Sequence, residues 1–351
     1  MQAIVEQFRA QILAAGAGAG ALRLRGGGSK DWYGQPPAGR ILDTRPYAGI
    51  VDYEPTELVI TARCGTPLAE IEAALAARNQ MLAFEPPHFG TKATVGGTLA
   101  CALSGPRRAN AGALRDFVLG AVLMDGHGEV LTFGGQVMKN VAGYDVSRLL
   151  AGSLGTLGLV LQVSLKVLPL PFRETTIRFA MSEIAALARL NEWAGQPLPI
   201  SASCWHDGVL TLRLSGAEAA VNAALHRLQG DDVADGAAFW RALREQTHGF
   251  FDCASLWRLS LPPACSALIL KGEQLIEWGG AQRWLKVEAD LDMAANIRKA
   301  VAAVGGHATL FRGGDKSIGV FHPLAPAVAR IHQRLKLAFD PAGIFNPGRM
   351  Y

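Results

Sequence analysis

The stretch "LRLRGGGSKDWYG", Leu22 to Gly34, contains the residues with the clearest chemical potential. Three consecutive glycines lie between Arg25 and Ser29. Such a run costs backbone entropy and offers no side chain to pack, so we expect something to come very close to the chain here. Successive backbone N–H groups in a loop of this kind can point toward one centre. The stretch therefore predicts an anion-binding loop.

Glycines also crowd two later segments, "EPPHFGTKATVGGTLACALSG" and "KNVAGYDVSRLLAGSLGTLGLV". Each segment alone would indicate ordinary turns. The order of these segments and their separation from the Arg25–Ser29 loop indicate a particular kind of site more specifically than any single segment does. We interpret the three segments as parts of one binding site for a bulky ligand.

Other familiar sites are absent from the sequence. The "GAGAG" of Gly16–Gly20 follows a helical pattern rather than a strand, so we interpret it as a loose loop and not a dinucleotide fingerprint. Neither a P-loop, an H-E-x-x-H metal motif nor a G-x-S-x-G elbow occurs. The five cysteines form no C-x-x-C pair, which excludes an iron–sulfur cluster built by this chain alone and predicts buried thiols in a reducing compartment. No metal site is expected.

Composition favours a well-packed globular chain. Half of the 351 residues are hydrophobic, 18% are charged, and the net charge of +4 is spread too thinly to favour nucleic-acid binding. Charges among the first apolar residues favour an amphipathic helix over a signal peptide. The uncharged stretch 149–165 is interrupted by glycines and ends like a buried strand, so we reject a membrane span. We expect a cytoplasmic location.

The first 170 residues alternate short strands and helices. Thr66 is predicted to cap a helix whose first residue is Pro67. A hairpin is predicted over Phe117–Gly134, with its turn at Asp125–Gly128. These elements must position the glycine loops between them.

Beyond Pro169 and Pro171 the pattern changes to β-α-β-β-α, with Ser182 as a helix cap. This order predicts an antiparallel sheet with helices on one face. A second, less clear unit of the same kind is predicted from about Phe239 to Gly306. A helix with Val328, Ile331, Leu335 and Ala338 on one face then leads to "FDPAGIFNPGRMY".

Together the glycine segments and the closing "FNPGR" resemble the FAD-binding domain of the vanillyl-alcohol oxidase/p-cresol methylhydroxylase (PCMH-type) flavoprotein superfamily. The resemblance implies an α+β fold: a PCMH-type FAD-binding domain of two α/β subdomains at 1–170, a ferredoxin-like α+β cap domain at 171–305, and a tail at 306–351 that packs back on the FAD domain. On this interpretation the three glycines make room for the pyrophosphate. The residues that the resemblance assigns to FAD are Arg25, Gly26, Gly27, Gly28, Ser29, Pro86, Pro87, Gly90, Thr94, Gly96, Gly97, Gly105, Gly143, Tyr144, Gly155, Thr156, Gly158, Val160 and Asn346.

Ser29 stands where some members of the superfamily carry a histidine that bonds covalently to the flavin. A serine does this poorly, so the resemblance implies a non-covalent FAD. Within the superfamily the chain is most similar to the smaller FAD-binding subunits of bacterial glycolate oxidases. That implies partners, namely a larger FAD-containing subunit and an iron–sulfur subunit, and oxidation of glycolate to glyoxylate with electrons passed to an acceptor other than oxygen. Any contact with the inner membrane would be peripheral and through these partners.

The chain differs from larger members of this group in one respect, which keeps two alternative functions open. Larger 2-hydroxyacid dehydrogenases of this group carry clustered histidines in their C-terminal half, whereas His307 and His322 are isolated here. Catalytic residues are therefore not assigned. The alternatives are a self-sufficient FAD-dependent 2-hydroxyacid dehydrogenase and a non-catalytic assembly subunit. Polar residues near these histidines either border the flavin or form an exposed loop: Arg312, Asp315, Lys316 and His322.

Overall fold

A computed structural model describes residues 1–135, 145–287 and 291–350. The chain forms two compact units. The first comprises Met1–Leu103, Ala113–Pro169 and Pro323–Tyr351, and the second comprises Ser104–Gly112 and Leu170–His322. The chain thus enters the second unit at Leu170 and returns to the first at Pro323, whereas the sequence placed the returning segment from 306.

The elements of residues 1–169 are mostly short. They are α1 (Gln2–Ala14), β1 (Leu22–Arg25), β2 (Arg40–Asp43), β3 (Ile50–Glu54), β4 (Val59–Arg63), α2 (Leu68–Ala76), β5 (Gln80–Met81), α3 (Val95–Cys101), α4 (Arg108–Ala111), α5 (Leu114–Phe117), β6 (Val118–Met124), β7 (Val130–Gly134), α6 (Val146–Leu149), β8 (Leu159–Lys166) and β9 (Leu168–Pro169). The "GAGAG" segment is not the loose loop that we predicted. Residues Ala15–Ala19 continue α1 as a wider helical turn, which breaks at Gly18, where φ is 102°.

Two sheets form the framework of the first unit. Strands β1 and β2 pair in parallel, and β3-β4-β8-β6-β7 form a five-stranded antiparallel sheet. The predicted β6–β7 hairpin is confirmed, and Asp125 Oδ1 accepts the N–H groups of His127 and Glu129 at 2.9 Å within its turn. One apolar core joins α1, β1, β2 and β8 to the C-terminal tail. The tail is therefore part of the first unit's core.

The predicted role of Thr66 is wrong. Helix α2 begins at Leu68 with Pro67 at its N-cap position, and no side chain caps it. The Thr66 hydroxyl instead accepts the Gly49 N–H at 2.9 Å and donates to the Gly49 carbonyl at 3.1 Å. Because both hydrogen bonds go to the strand region before β3, the hydroxyl stabilises a turn rather than the helix.

The later elements are longer. They are β10 (Arg173–Ala180), α7 (Glu183–Ala194), β11 (Ile200–His206), β12 (Val209–Gly216), α8 (Glu218–Leu228), β13 (Asp231–Asp232), α9 (Gly236–Glu245), β14 (Ser255–Ser260), β15 (Glu273–Glu277), β16 (Gln282–Lys286), α10 (Leu291–Ala303), β17 (His307–Gly313) and, in the first unit, α11 (Pro326–Phe339).

The second unit contains one antiparallel sheet, ordered β13-β10-β12-β11-β15-β16-β14-β17 along the described strands. Its first half has the chain order 4-1-3-2 of a ferredoxin-like β-α-β-β-α-β motif, and α7 and α8 share one core with β10 and β12. When the four strands of the second half are also numbered in chain order, they lie along the sheet in the reverse order, 2-3-1-4. Helix α10 precedes the last of these strands. Residues 261–272, between β14 and β15, contain no helix where the first half has α7. The halves meet where β11 pairs with β15.

The buried Arg107 connects the segment Ser104–Gly112 to the sheet of the second unit. Arg107 donates to Glu174 Oε2 at 2.6 Å and to Ser215 Oγ at 3.0 Å. Arg213, 3% exposed, lies 3.7 Å from the same Glu174 oxygen and donates to Ser201 Oγ at 3.0 Å. Because a buried charge is tolerated only with partners, Glu174 has a structural role between two arginines.

We predict that Ser182→Ala destabilises the second unit by about 1 kcal/mol, because Ser182 Oγ accepts the Ala185 N–H at 3.3 Å and caps α7. Thermal unfolding followed by circular dichroism should shift down by roughly 2–4 °C. Ala217→Ser is the matched control, since Ala217 is the N-cap residue of α8, offers no side-chain cap, and its replacement by serine should increase stability. An equal loss in both variants would contradict the prediction.

Candidate cofactor site

Two adjoining clefts lie in the first unit, beside the glycine loop that follows β1. The first cleft encloses about 590 Å³ and the second about 440 Å³, including the solvent in their open mouths. Their shared lining residues are Leu24, Arg25, Gly26, Gly97, Ala100, Leu154 and Asn346. They therefore form one elongated site, with the glycine loop and α3 on both parts.

The first cleft is lined by four cationic side chains and one carboxylate. Arg23 and Arg25 both contact Asp31 Oδ2, at 2.6 and 2.7 Å. The other two cations, Lys30 and Arg349, are each 7% exposed. An anionic ligand would find more positive than negative charge here.

Backbone carbonyls orient the two buried cations. Lys30 Nζ donates to the His88 carbonyl at 3.3 Å, and Arg349 Nη2 donates to the Asp31 carbonyl at 2.9 Å. Burial lowers the pKa of Arg349. A guanidinium stays protonated in proteins nevertheless, so its charge persists in the cleft. This donor set suits a diphosphate, which charge-assisted hydrogen bonds bind strongly.

The reason for the three glycines differs from our interpretation. A Cβ on Gly27 would overlap the carbonyl oxygen of Lys92, and a Cβ on Gly26 would overlap the Thr94 hydroxyl. We predicted that a ligand approaches the glycine loop closely. The structure shows that the segment before α3 also does so. These two glycines let two segments of the protein wall approach each other.

Gly97 is the glycine that leaves the cleft open. It lines both clefts, and a Cβ there would meet only Thr94 Oγ1, at 3.3 Å. Gly96, its neighbour, packs instead against Cys64, whose Cβ would be 2.7 Å away. Surface free of Cβ at Gly97 is what a flat ring or a phosphate needs for close approach.

Glycines of the second cleft also serve packing between segments. Gly158 has φ of 150°, and a Cβ there would lie 2.8 Å from the Met124 carbonyl of β6. Gly155 has φ of 70°, in the left-handed region, and faces the Asn346 side chain. The loop before β8 thus fits closely between β6 and the C-terminal tail.

Asn346 connects both sides of the site. Its Oδ1 accepts the Leu24 N–H at 2.9 Å, and its Nδ2 donates to the Leu154 carbonyl at 2.6 Å. Its backbone N–H donates to the Leu22 carbonyl at 2.9 Å. A buried amide with both ends paired fixes strand β1 against the loop before β8.

A buried ion pair positions this tail. Lys336 of α11 contacts Asp340, which is fully buried, and also donates to the Phe345 carbonyl at 2.9 Å and the Thr156 carbonyl at 2.7 Å. Asp340 accepts the N–H groups of Ile344 and Phe345 at 3.0 and 2.8 Å. The turn before Asn346 is thus fixed by charge-assisted hydrogen bonds.

The structure brings most of the predicted site residues together. Those that line one or both clefts are Arg25, Gly26, Gly27, Gly28, Ser29, Thr94, Gly96, Gly97, Gly155, Gly158, Val160 and Asn346. Gly143 and Tyr144 lie outside the described residues.

The remaining predicted residues do not line these clefts. Pro86 and Pro87 are buried, and Gly90 is exposed with φ of 114°. Thr156 is buried, and its hydroxyl donates to the Ser153 carbonyl at 2.7 Å. Gly105 belongs to the second unit, where its carbonyl accepts the Trp278 indole N–H at 3.1 Å.

Sequence reasoning missed several lining residues, namely Arg23, Lys30, Asp31, Cys101, Ser153, Leu154 and Arg349. The charged lining residues could have been found from their positions in the sequence. Arg23, Lys30 and Asp31 flank the glycine run, and Arg349 is the last residue of the "FNPGR" motif. Cys101 had no signal. Burial raises the pKa of its thiol to about 11, so it remains neutral in the cleft at physiological pH.

Comparisons with known proteins agree with this geometry. Residues 5–134 match the family described as FAD binding domain. The chain is 51% identical to the glycolate oxidase subunit GlcE of Escherichia coli K12, over 94% of this chain and 92% of that protein. It is 30% identical to the glycolate oxidase subunit GlcD of Bacillus subtilis 168, over 47% of this chain and 35% of that one.

The fold is that of a solved alkyldihydroxyacetonephosphate synthase, with a TM-score of 0.67 at 14% identity over 97% of this chain and 74% of the other. The cofactor is FAD, and the cleft fits it: cations are available for a diphosphate, and Cβ-free surface is available at Gly97. Whether the FAD is non-covalent, as Ser29 indicates, stays a prediction.

We predict that Gly97→Leu reduces FAD affinity about tenfold or more, because the new side chain has little else than the cleft to occupy. The absorbance ratio at 450 and 280 nm (roughly the flavin and protein maxima) measures retained FAD. Gly16→Leu is the control, since Gly16 is exposed and a Cβ added there would meet nothing within 4 Å. Normal flavin content in Gly97→Leu would remove this position from the site.

We predict that Lys336→Met costs about 3–5 kcal/mol of stability, because it leaves the buried Asp340 carboxylate without its cation. The tail would loosen, so FAD affinity should fall together with the melting temperature. Lys299→Met, at an exposed position of α10, should change neither quantity. Unchanged FAD affinity in a destabilised Lys336→Met would show that the ion pair does not act on the site.

Proposed function

The chain belongs to the family of the glycolate oxidase subunit GlcE, and from this we propose that it is the FAD-binding subunit of a multi-subunit glycolate oxidase. The observation that carries the proposal is 51% identity over nearly the full length of both chains. The complex would oxidise glycolate to glyoxylate and pass the electrons, through partner subunits, to an acceptor other than oxygen.

In this role the cationic cleft would bind the diphosphate of FAD through Arg23, Arg25, Lys30 and Arg349. The second cleft would take an uncharged part of the cofactor, since it is lined by Leu159, Val160 and other largely apolar or glycine residues. When bound, FAD supplies a two-electron acceptor that can also release electrons singly. The chain's own residues would orient the cofactor and exclude water from it.

A second candidate function is a self-sufficient 2-hydroxyacid dehydrogenase. Oxidation of a hydroxy acid requires a base for the hydroxyl proton. His322 Nδ1 accepts the Ala308 N–H at 3.3 Å, so the ring proton of the neutral imidazole lies on Nε2. The one ring nitrogen with a lone pair is thus already a hydrogen-bond acceptor. Burial lowers the pKa of both His307 and His322. The Nδ1 lone pair of His322 is therefore not free to accept the hydroxyl proton, which favours the subunit over the self-sufficient enzyme.

The partners in this proposal are a larger FAD-containing subunit of the GlcD type and an iron–sulfur subunit. The five cysteines of this chain are dispersed, so we place the cluster relay in a partner. Within the described residues, no helix has the length and apolar character required to cross a membrane. We propose a cytoplasmic complex with any membrane contact made peripherally through partners.

Anaerobic titration with glycolate tests the proposal. The purified chain should be yellow and keep its 450 nm absorbance (roughly the flavin maximum) when glycolate is added alone. Addition of the partner subunits should then cause bleaching, because the proton-abstracting group and electron relay would be complete.

The other outcomes separate the alternatives. Bleaching of the isolated chain by glycolate would support the self-sufficient dehydrogenase. A colourless chain that still restores activity to its partners would support a non-catalytic assembly subunit. Either result would overturn the proposed function.

A further inference from the structure

An acidic side chain lies in the cleft that suits a diphosphate. Asp31 is the one carboxylate among the described residues that line the first cleft. A carboxylate and a diphosphate are both negative, so Asp31 by itself would weaken binding of the cofactor. Its side chain is 34% exposed, so it does not fill the core either. The presence of this acid in the cleft therefore requires a different explanation.

One oxygen of Asp31 contacts two arginines of the cleft. Arg23 and Arg25 lie two residues apart on β1, so their side chains leave the strand on the same side. Arg23 Nη2 lies 2.6 Å from Asp31 Oδ2, and Arg25 Nε donates to the same atom at 2.7 Å. Among the described residues, neither guanidinium forms another ion pair. Because two neighbouring cations repel each other, the carboxylate between them stabilises this arrangement.

The turn after the glycine run fixes both Asp31 and Arg25. The Asp31 N–H donates to the Gly28 carbonyl at 3.2 Å. Gly28 has φ of 76°, in the left-handed region, and a Cβ there would overlap the Arg25 guanidinium. The missing side chain thus lets Arg25 lie against the turn, beside the carboxylate.

Asp31 also contacts the C-terminal tail through its main chain. Its carbonyl accepts Arg349 Nη2 at 2.9 Å. Three of the four cations that line the first cleft therefore contact this one residue. Arginine side chains lose much rotamer freedom when they are fixed, so arginines that are already held lose less on binding a ligand.

We propose that Asp31 is a positioning residue for the cofactor: its carboxylate holds the guanidinium groups of Arg23 and Arg25 in the orientation that binds the diphosphate of FAD. Arg25 contacts Asp31 through Nε, so both of its Nη groups remain as donors. Arg23 uses Nη2 and keeps Nε and Nη1. This inference rests on the part of the proposed function that places the diphosphate on these arginines, and it does not depend on glycolate oxidation.

Two other roles for Asp31 predict different results for Asp31→Asn, which keeps the shape of the side chain and removes its charge. If Asp31 only added negative charge to the cleft, the substitution would strengthen FAD binding. If it only balanced the cations for folding, the substitution would lower the melting temperature and would not weaken FAD binding. Positioning predicts weaker FAD binding at a nearly unchanged melting temperature, because ion pairs with this exposure contribute little to stability.

Titration of the full-length, FAD-free chain with FAD tests the proposal. Quenching of the flavin fluorescence gives the dissociation constant. Asp31→Asn should raise this constant about tenfold, mainly through faster release of FAD. The melting temperature of the FAD-free chain should stay within about 2 °C of wild type.

Asp43→Asn is the matched control. Asp43 lies opposite Arg25 on the neighbouring strand β2, so the substitution removes the same charge close to the site. The Asp43 carboxylate binds Arg45, however, and neither of these residues lines a cleft. The dissociation constant for FAD should therefore stay within about twofold of wild type.

A double-mutant cycle tests whether Asp31 acts through the two arginines. In a chain that carries Arg23→Met and Arg25→Met, FAD binding should be weaker than in wild type. Adding Asp31→Asn to that chain should change the dissociation constant by about twofold or less, because the groups that it positions are gone. A further tenfold loss in this background would show that Asp31 acts on the site without the arginines, and would overturn the proposal.

Other outcomes also decide against the positioning role. Unchanged or tighter FAD binding by Asp31→Asn would overturn it, and so would an equal loss in Asp43→Asn. A fall in melting temperature well beyond about 2 °C would assign the weaker binding to folding.

Failure of the proposed function is recognisable separately. Wild-type FAD affinity in the Arg23→Met and Arg25→Met chain would show that the diphosphate does not lie on these arginines, and the inference about Asp31 would fall with that placement. No bleaching by glycolate in the presence of the partner subunits would overturn the glycolate oxidase role alone. A tenfold loss in Asp31→Asn that disappears in the arginine-free background would still support the positioning role.

Discussion

The side-chain amide of Asn346 is the interaction on which the cofactor site depends. It bonds to Leu24 at the end of β1 and to Leu154 in the loop before β8, so it joins segments that are 322 and 192 residues away in the chain. Local sequence cannot bring such segments together. The Lys336–Asp340 pair fixes the turn that presents the amide. The cleft is therefore a consequence of tertiary closure, and its shape is only as rigid as the tail that completes it.

Glycine has two separate uses around this cleft. At Gly27 and Gly158 a side chain would meet backbone carbonyls of Lys92 and Met124, so these glycines allow protein segments to approach one another. At Gly97 the missing side chain leaves open space for a ligand. Both uses place a glycine in the motif, so the sequence alone does not distinguish them. This is why the glycine pattern pointed to part of the cleft lining and assigned the wrong physical reason to some of its glycines.

Much of the fold could be predicted where local signals act alone. The β-α-β-β-α pattern and the Ser182 cap predicted the first ferredoxin-like half, and the turn at Asp125 predicted the hairpin. The second half was less clear because residues 261–272 lack a helix, and the glycines around 306 resembled a boundary although β17 continues the same sheet. The site could be predicted only in part, for a related reason. Gly105 continues the glycine segment in sequence, yet its carbonyl accepts the Trp278 indole N–H within the second unit.

Two carboxylates of the second unit are held by buried partners. Glu174 lies between Arg107 and Arg213, and Glu277 accepts hydrogen bonds from Gln282 and Trp284 at 3.1 and 2.6 Å. A carboxylate with such partners is held in place as a hydrogen-bond acceptor. The first unit, in contrast, offers an open site with unevenly distributed charge. Charged groups of the second unit therefore hold its strands together, whereas those of the first unit line a cleft that suits the diphosphate of FAD.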